Sequence, residues 1–336
     1  MIGWYAHHVG RGHLTRASVV AAELTARGVP VTLLSSGEPA GRHVGDVVRL
    51  PRDDDRTGPL GDPTARGALH WAPLGHPGLR DRMVAIAEWV RRAEPAVVVV
   101  DVSVEVALLC RLLGVPVVGV VLPGDRGDEP HRLGASVCEA LVGCWPYVAA
   151  HPVTGFPDTD LRRLRAVGGL GRFGVASAPP QPVRPTVTLL QGAGGGSWAV
   201  GAAAVLRTGL AGWDVRSLAG GAGRGEVWAT LRSSTVVVTH AGQNALAEVA
   251  AARVPAVVVA ADRPHDEQTF ALRHLRVAGS PVVDAAGGAL VEQVRAAADL
   301  DGARWSTWVD GRAATRFADV VLEVHDRTPV PAREVS

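Results

Sequence analysis

Eight short runs of β-branched and aliphatic residues recur along this chain, separated by stretches of helical periodicity: Ile2 to Ala6, Val29 to Ser35, Val97 to Asp101, Val115 to Val121, Val187 to Gln191, Val215 to Leu218, Val236 to His240 and Ala256 to Ala260. Runs that are apolar throughout, with no alternation, belong to strands buried on both faces, and helices between them supply the cover that parallel sheets require. The series breaks once, at Ala178 to Pro185, where four prolines in eight residues leave no room for a regular element. A chain of 336 residues is also long for one core. The expected fold class is therefore α/β, with two doubly wound parallel-sheet domains at 1–177 and 186–325, a proline-rich linker at 178–185 and a tail at 326–336.

Helical spacing is clearest in His13 to Arg27, with Leu14, Ala17, Val20, Ala21 and Leu24 on one face, and in Leu79 to Arg92, with Met83, Ile86, Trp89 and Val90. A last helix is expected over Arg304 to Glu323, packing near or onto the first domain. Between Pro51 and Pro77 the chain is rich in Gly, Pro and Asp without periodicity and reads as a long loop.

All 34 basic residues other than histidine are arginine. Without lysine the chain has no phosphate-loop lysine, no Schiff-base lysine and no kinase lysine, since each needs an ammonium group. A net charge of +1 gives no basic excess for nucleic acid, so a small-molecule partner is expected and no nucleic acid. Cys110, Cys138 and Cys144 lack metal or disulfide spacing and read as reduced core thiols. No basic leader and no apolar run of 18 residues is seen, and the expected location is the cytoplasm. Arg162, Arg163 and Arg165 read as a solvated helix, and Asp53 to Asp55 as a solvated loop run.

Ligands of open parallel sheets bind beyond the carboxyl ends of the strands. The first strand ends in HHVGRGHLTRA, where Gly10 and Gly12 admit a ligand close to the backbone and His13 opens the next helix, placed to take a proton from a hydroxyl or simply to cap that helix. Asp101 closes AVVVVD; it either caps the helix beginning near Ser103 or orients His13 and stabilises its imidazolium. Glu105 faces either a pocket or solvent. The fifth strand leads into QGAGGGS, whose Gly192, Gly194 and Gly195 expose consecutive amides able to cradle a phosphate. His240 and Gly242 precede a helix starting near Gln243, an anion site by virtue of the helix dipole. Glu248 stands in an apolar stretch and could accept from two vicinal hydroxyls; Asp266, Glu267 and Gln268 cluster at the next rim.

The box formed by His240, Gly242, Asn244 and Glu248, followed by Pro255 and then an acidic residue with a glutamine, resembles the nucleotide-sugar signature of GT-B glycosyltransferases, both the bacterial MurG type and the wider UDP-glycosyltransferase superfamily. GRGHLTRA and QGAGGGS are similar to their two glycine-rich loops. The resemblance spans essentially the whole chain and implies two Rossmann-like domains facing across a cleft. It implies transfer of a sugar from a nucleoside diphosphate donor, UDP-sugar first and dTDP-sugar second, to an acceptor hydroxyl, with inversion and no required cofactor or metal. Carried over, His13 is the general base and Asp101 its partner. Gly12, Gly192, Gly194, Gly195, His240, Gly242, Gln243 and Asn244 lie around the diphosphate, Glu248 on the ribose, and Gln268 with Asp266 or Glu267 on the sugar.

Three departures bear on this. Glu267 separates Asp266 from Gln268, the run from His240 to them is longer than in the plant-type box, and Gln243 stands where many relatives have a tryptophan. Base stacking then falls to Trp228 and the backbone at Val227. Arg11 is the nearest arginine by sequence to the phosphate loops. The acceptor is not specified by any motif, and membrane contact is expected only if it is lipid-linked. Two other readings fit the same pattern, a nucleotide-sugar epimerase or hydrolase of this fold and a non-catalytic nucleotide-sugar-binding partner protein.

Overall fold

The computed structural model describes residues 1–7, 11–39, 45–54, 60–192, 198–219 and 221–327. Nine strands fall in the first part: β1 Ile2–Ala6, β2 Val31–Ser35, β3 Asp46–Arg49, β4 Val97–Asp101, β5 Val117–Val121, β6 Gly124–Asp125, β7 Ala140–Gly143, β8 Val153–Thr154 and β9 Leu164–Ala166. Five follow: β10 Thr186–Leu190, β11 Asp214–Leu218, β12 Val236–His240, β13 Ala256–Val259 and β14 Val282–Asp284. The α-helices are α1 Arg11–Ala26, α2 Pro77–Ala93, α3 Val104–Leu112, α4 Glu129–Ser136, α5 Asp158–Leu161, α6 Trp198–Gly209, α7 Arg224–Arg232, α8 Gln243–Ala251, α9 Glu267–Val277, α10 Leu290–Ala298 and α11 Ala313–Arg327.

Two parallel sheets result, in the order β3-β2-β1-β4-β5-β7-β9 and β11-β10-β12-β13-β14, with β6 and β8 forming a small parallel pair. Both large sheets are doubly wound, which is the GT-B arrangement, and the chain order reverses beside β1 in one and beside β10 in the other. The seven-stranded sheet uses both faces. Ile2, Trp4, Leu33, Val97 and Val99 pack under α1 and α11, while Tyr5, Leu34, Val98 and Val100 pack under α2 and α3. Every residue of β1, β2, β4 and β5 is buried, as continuous apolar runs require. Gly3 is fixed by packing: a Cβ there would lie 2.5 Å from the Trp89 ring, so the indole of α2 lies directly against the strand backbone. The second sheet places Val187, Leu189, Val236, Val238 and Val257 against α6 and α10, and Val237 and Val258 on the side of α7 and α8.

The segment read as one helix from Arg304 to Glu323 is two elements, a 3-10 turn at Gly302–Thr307 and α11, separated by Gly311 with φ of 82°. A left-handed residue ends helical propagation, and the redirected α11 returns to the first sheet, where Phe317 meets Trp4 at 5.2 Å between ring centroids and Arg27 pairs with Asp319 at 2.6 Å. The Arg162 to Arg165 stretch is not a solvated helix. α5 ends at Leu161, Arg165 lies on β9, and Arg163 donates to the carbonyls of Ala135 and Cys138, closing the C-terminal turn of α4. Asp53 is not solvated either: it is buried against Arg82, 3.1 Å away, and Arg82 in turn donates to the Tyr5 hydroxyl at 2.9 Å. Burial drives the Tyr5 phenol up to about 12. Asp55 lies outside the described residues.

Candidate active site

The two chain reversals bring four strand ends together across one cleft of about 350 Å³. From the first sheet, β1 leads to α1 and its neighbour β4 ends at Asp101, directly beside Ala6 in register. From the second, β10 delivers Gln191 and Gly192, and β12 leads through Gly242 into α8. Both sides therefore present carboxyl ends of strands at a switch point, where open sheets leave a crevice.

On the first side a buried carboxylate organises the chemistry. Asp101 has no solvent exposure; His13 Nδ1–H donates to its Oδ1 at 2.8 Å, and Arg16 donates to Oδ1 at 2.6 Å and to Oδ2 at 2.8 Å. Burial alone would raise the Asp101 pKa, but the charges of Arg16 and His13 outweigh it and hold the group ionised, down to about 2. The capping alternative is taken by another residue: Ser103 caps α3, accepting from Val106 N–H at 3.3 Å. Val102 between them has φ of 63°, a conformation that costs a β-branched residue about 1–3 kcal/mol and turns the chain sharply after Asp101. Because Nδ1 is committed to Asp101, the other ring nitrogen, Nε2, is the one available to a ligand, and His13 lines the cleft. Glu105 is half-buried and lines a small pocket of about 90 Å³ in the first half, with His7, His70 and Trp71; it accepts from the backbone amides of His70 and Trp71 at 3.0 and 2.9 Å, pinning the long loop.

On the second side the groups are backbone amides. Gly242 is the N-cap of α8 and offers no side-chain acceptor, and the first turn holds no acid, so the helix N-terminus faces the cleft uncompensated. Asn244 approaches Gly12, whose Cβ position would be 3.2 Å from Asn244 Nδ2. Gln243 joins the two sides: Arg16 donates to its Oε1 at 2.7 Å, while its buried Nε2 has no partner among the described residues. Glu248 forms an ion pair with Arg172, Oε1 to Nε at 2.7 Å. Burial raises its pKa, and Arg172 opposes the rise. Gly192, Val227, Asn244, Glu248 and Glu267 line the cleft.

Other residues singled out from the sequence lie elsewhere. His240 is not among the residues lining the cleft; its Nδ1 is 3.3 Å from the Val259 carbonyl and its ring packs edge-on against Trp198 at 4.9 Å. Since a carbonyl only accepts, that contact is a hydrogen bond when Nδ1 carries the ring proton, with Nε2 then the acceptor of the neutral ring. Gln268 is buried and accepts from the Ala261 amide at 2.9 Å, fixing the turn ahead of α9; Asp266 is exposed, and of the three neighbours Glu267 alone lines the cleft. Trp228 meets Phe173 at 5.0 Å in an open hollow with Arg224 and Gly225, next to Val227. Gly194 and Gly195 lie outside the described residues, as does the Arg11 side chain. Sequence reasoning missed Arg16 and Arg172. Arg16 carries one signal, its place one turn after His13 on the same helix face; Arg172 carries none.

No described helix is long and apolar enough to cross a membrane. No family model matches the chain, and no curated relative does. Solved structures match over nearly the whole length. MurG of Acinetobacter baumannii is 16% identical, with a TM-score of 0.62 over 96% of this chain and 99% of that one. CalG4, the calicheamicin glycosyltransferase, is 17% identical, with a TM-score of 0.64 over 98% and 99%. Phytolacca americana UGT2, solved with UDP-2-fluoro-glucose and pterostilbene, is 15% identical, with a TM-score of 0.55 over 97% and 94%. Over nearly all of its length the chain has the GT-B fold of these glycosyltransferases.

Proposed function

We propose that the protein transfers a glycosyl group from a nucleoside diphosphate sugar, a UDP-sugar in the first instance, to an acceptor hydroxyl, with inversion at the anomeric carbon. The observation that carries this reading is the His13–Asp101 pair, 2.8 Å apart, facing the bare N-terminus of α8 across one cleft. His13 Nε2 takes the acceptor proton as the oxygen attacks the anomeric carbon; the bond from that carbon to the diphosphate oxygen breaks, and its electron pair leaves on the diphosphate. Asp101, ionised and desolvated, stabilises the imidazolium and fixes the tautomer, and Arg16 holds Asp101 in place. The leaving-group charge grows at the N-terminus of α8, where the amides of Gln243 and Asn244 and the helix dipole stabilise it without a resident metal at the phosphates. Glu248 accepts from the ribose hydroxyls, sharing its charge with Arg172, and Glu267 reaches the sugar.

The test is release of UDP from UDP-glucose or UDP-GlcNAc across a panel of hydroxyl acceptors, preceded by thermal shifts with UDP, dTDP and GDP, because a ligand that binds only the folded state raises its apparent stability. Acceptor-dependent UDP release supports the reading. His13→Ala with full turnover overturns it.

A further inference from the structure

Away from the cleft lining just described, four side chains converge that no step above uses. His70 comes from the long loop before α2, Asp128 is the N-cap of α4, His131 lies in its first turn, and His265 precedes α9 in the second half of the chain. One ligating atom from each lies within 4.8 Å of every other. Asp128 is the hub: its Oδ1 accepts from His131 Nδ1 at 2.5 Å, and its Oδ2 is 3.3 Å from His70 Nε2 and 3.9 Å from His265 Nδ1. The three imidazoles crowd around it, with ring centroids 4.4 Å apart for His70 and His131 and 4.6 Å for His131 and His265.

The backbone also bends to make this meeting. His265 has φ of 63° and Asp266 follows at 54°, two successive left-handed residues in the turn that leads into α9. Gly124 of β6 admits the bend, since a Cβ there would lie 2.2 Å from the His265 carbonyl oxygen. Left-handed non-glycine residues carry backbone strain and persist where surrounding contacts over-determine them.

We infer that His70, Asp128, His131 and His265 form a binding site for one divalent transition-metal ion of the zinc class, clamping the two halves of the molecule together. Three imidazole nitrogens and one carboxylate oxygen are a donor set that suits zinc: borderline ligands, four in number, from separate elements, able to close tetrahedrally at about 2.0–2.2 Å. At those bond lengths the donor atoms of a tetrahedral site stand about 3.4 Å apart, so the widest present separations, up to 4.8 Å, close onto the ion while the 2.5 Å contact between His131 Nδ1 and Asp128 Oδ1 opens. With four protein ligands such a site is closed, so its role is structural, and it joins the loop and α4 of the first domain to the segment before α9 in the second. Arg126 is the opposing group. It donates to His131 Nε2 at 3.0 Å and to the carbonyl of Pro123 at 2.7 Å. When the ion takes Nδ1 of His131, the ring proton passes to Nε2 and Arg126 gives up that bond while keeping its carbonyl.

The experiment uses the full chain stripped with chelator and titrated with Zn2+ alone by calorimetry, then with Co2+ followed by visible absorption. The expected result is one ion per chain and, for Co2+, the intense d–d bands of a tetrahedral N/O site. His265→Ala and His70→Ala are expected to weaken Zn2+ binding at least 100-fold, and the remote His325→Ala to leave it unchanged. His265→Gln guards against loss of fold, provided its metal-free melting temperature matches the parent. Stoichiometric binding that survives His265→Gln, or no binding below about 100 μM Zn2+, where affinity would be too weak for a four-ligand site, overturns the inference. None of these readouts depends on glycosyl transfer.

Discussion

The two walls of the cleft solve the same problem with opposite means. On the first, every charge is already matched: Asp101 is satisfied by His13 and Arg16, and only one ring nitrogen is left for a ligand. On the second, α8 starts without a side-chain cap or an acid in its first turn, and the buried Gln243 Nε2 has no partner among the described residues. A paired, desolvated network fixes geometry and protonation before anything binds, which suits proton transfer. Unpaired amides at a helix end store attraction for an anion that arrives later. In the proposed reaction one wall would hold the chemistry and the other the charge, so substitutions on the two should separate in kinetics.

The sharpest break between the walls is His13→Ala. Removing the base is expected to lower kcat by about 10²–10⁴-fold. Binding of UDP, measured by calorimetry, is expected to stay within about twofold, because the proposed site for the diphosphate is on the other wall. A parallel loss of UDP affinity would mean the walls are not separable.

Asp101→Ala attacks the same wall through stability. It leaves the Arg16 guanidinium buried without its carboxylate, and breaking a buried pair in this way costs about 3–5 kcal/mol. Urea unfolding checks it, and Asp101→Leu with Arg16→Met together should recover most of the loss. The pH dependence has a defined sign. The folded-state pKa of Asp101, about 2, lies below its ordinary value of 3.8, so its contribution is complete above about pH 4 and is lost as pH falls through 2. Replacing the pair by the apolar residues removes that acid-sensitive contribution, so at matched stability near neutral pH the double variant should unfold at a lower pH than the parent, and an upward shift would overturn the assignment.

Glu248→Gln turns to the second wall. With Arg172 left uncompensated and one acceptor lost to the ribose, UDP affinity should drop about tenfold, or 1.4 kcal/mol, with kcat at saturating donor nearly unchanged. The reverse pattern would place Glu248 among the groups that act on the reacting bond.

The walls also differ in how far they could be read from the sequence. Strand ends announce themselves locally, by an apolar run stopped by one polar residue, and that placed Asp101, Gly192 and Gly242 at the rim. A helix N-terminus after glycine is equally local. What stayed hidden is the pairing of distant groups: Arg16 and Asp101 are 85 residues apart, Arg172 and Glu248 are 76. Side-chain direction was hidden as well. His240 stands at a strand tip as its spacing implies, yet its ring turns to Trp198 and the Val259 carbonyl, a choice set by packing that no periodicity encodes. Asp53 likewise reads as loop charge until Arg82 arrives from α2.

The smallest expected effect falls where the walls touch. Gly12 is the second residue of α1, and a Cβ added there would meet the end of the Asn244 side chain at 3.2 Å. Asn244 Nδ2 is the far end of a flexible group, so it yields by a few tenths of an ångström and does not clash. Alanine in a helix is favoured over glycine by about 0.5–1 kcal/mol, with less expected this close to the helix start. Gly12→Ala is therefore expected to leave stability unchanged or raise it by up to about 0.5 kcal/mol, while displacing Asn244 from the mouth of the anion site and weakening UDP about 2–5-fold. Opposite signs in urea unfolding and calorimetry would locate the cost in ligand geometry. Losses in both would mean the contact between Gly12 and Asn244 holds the two walls together even without donor.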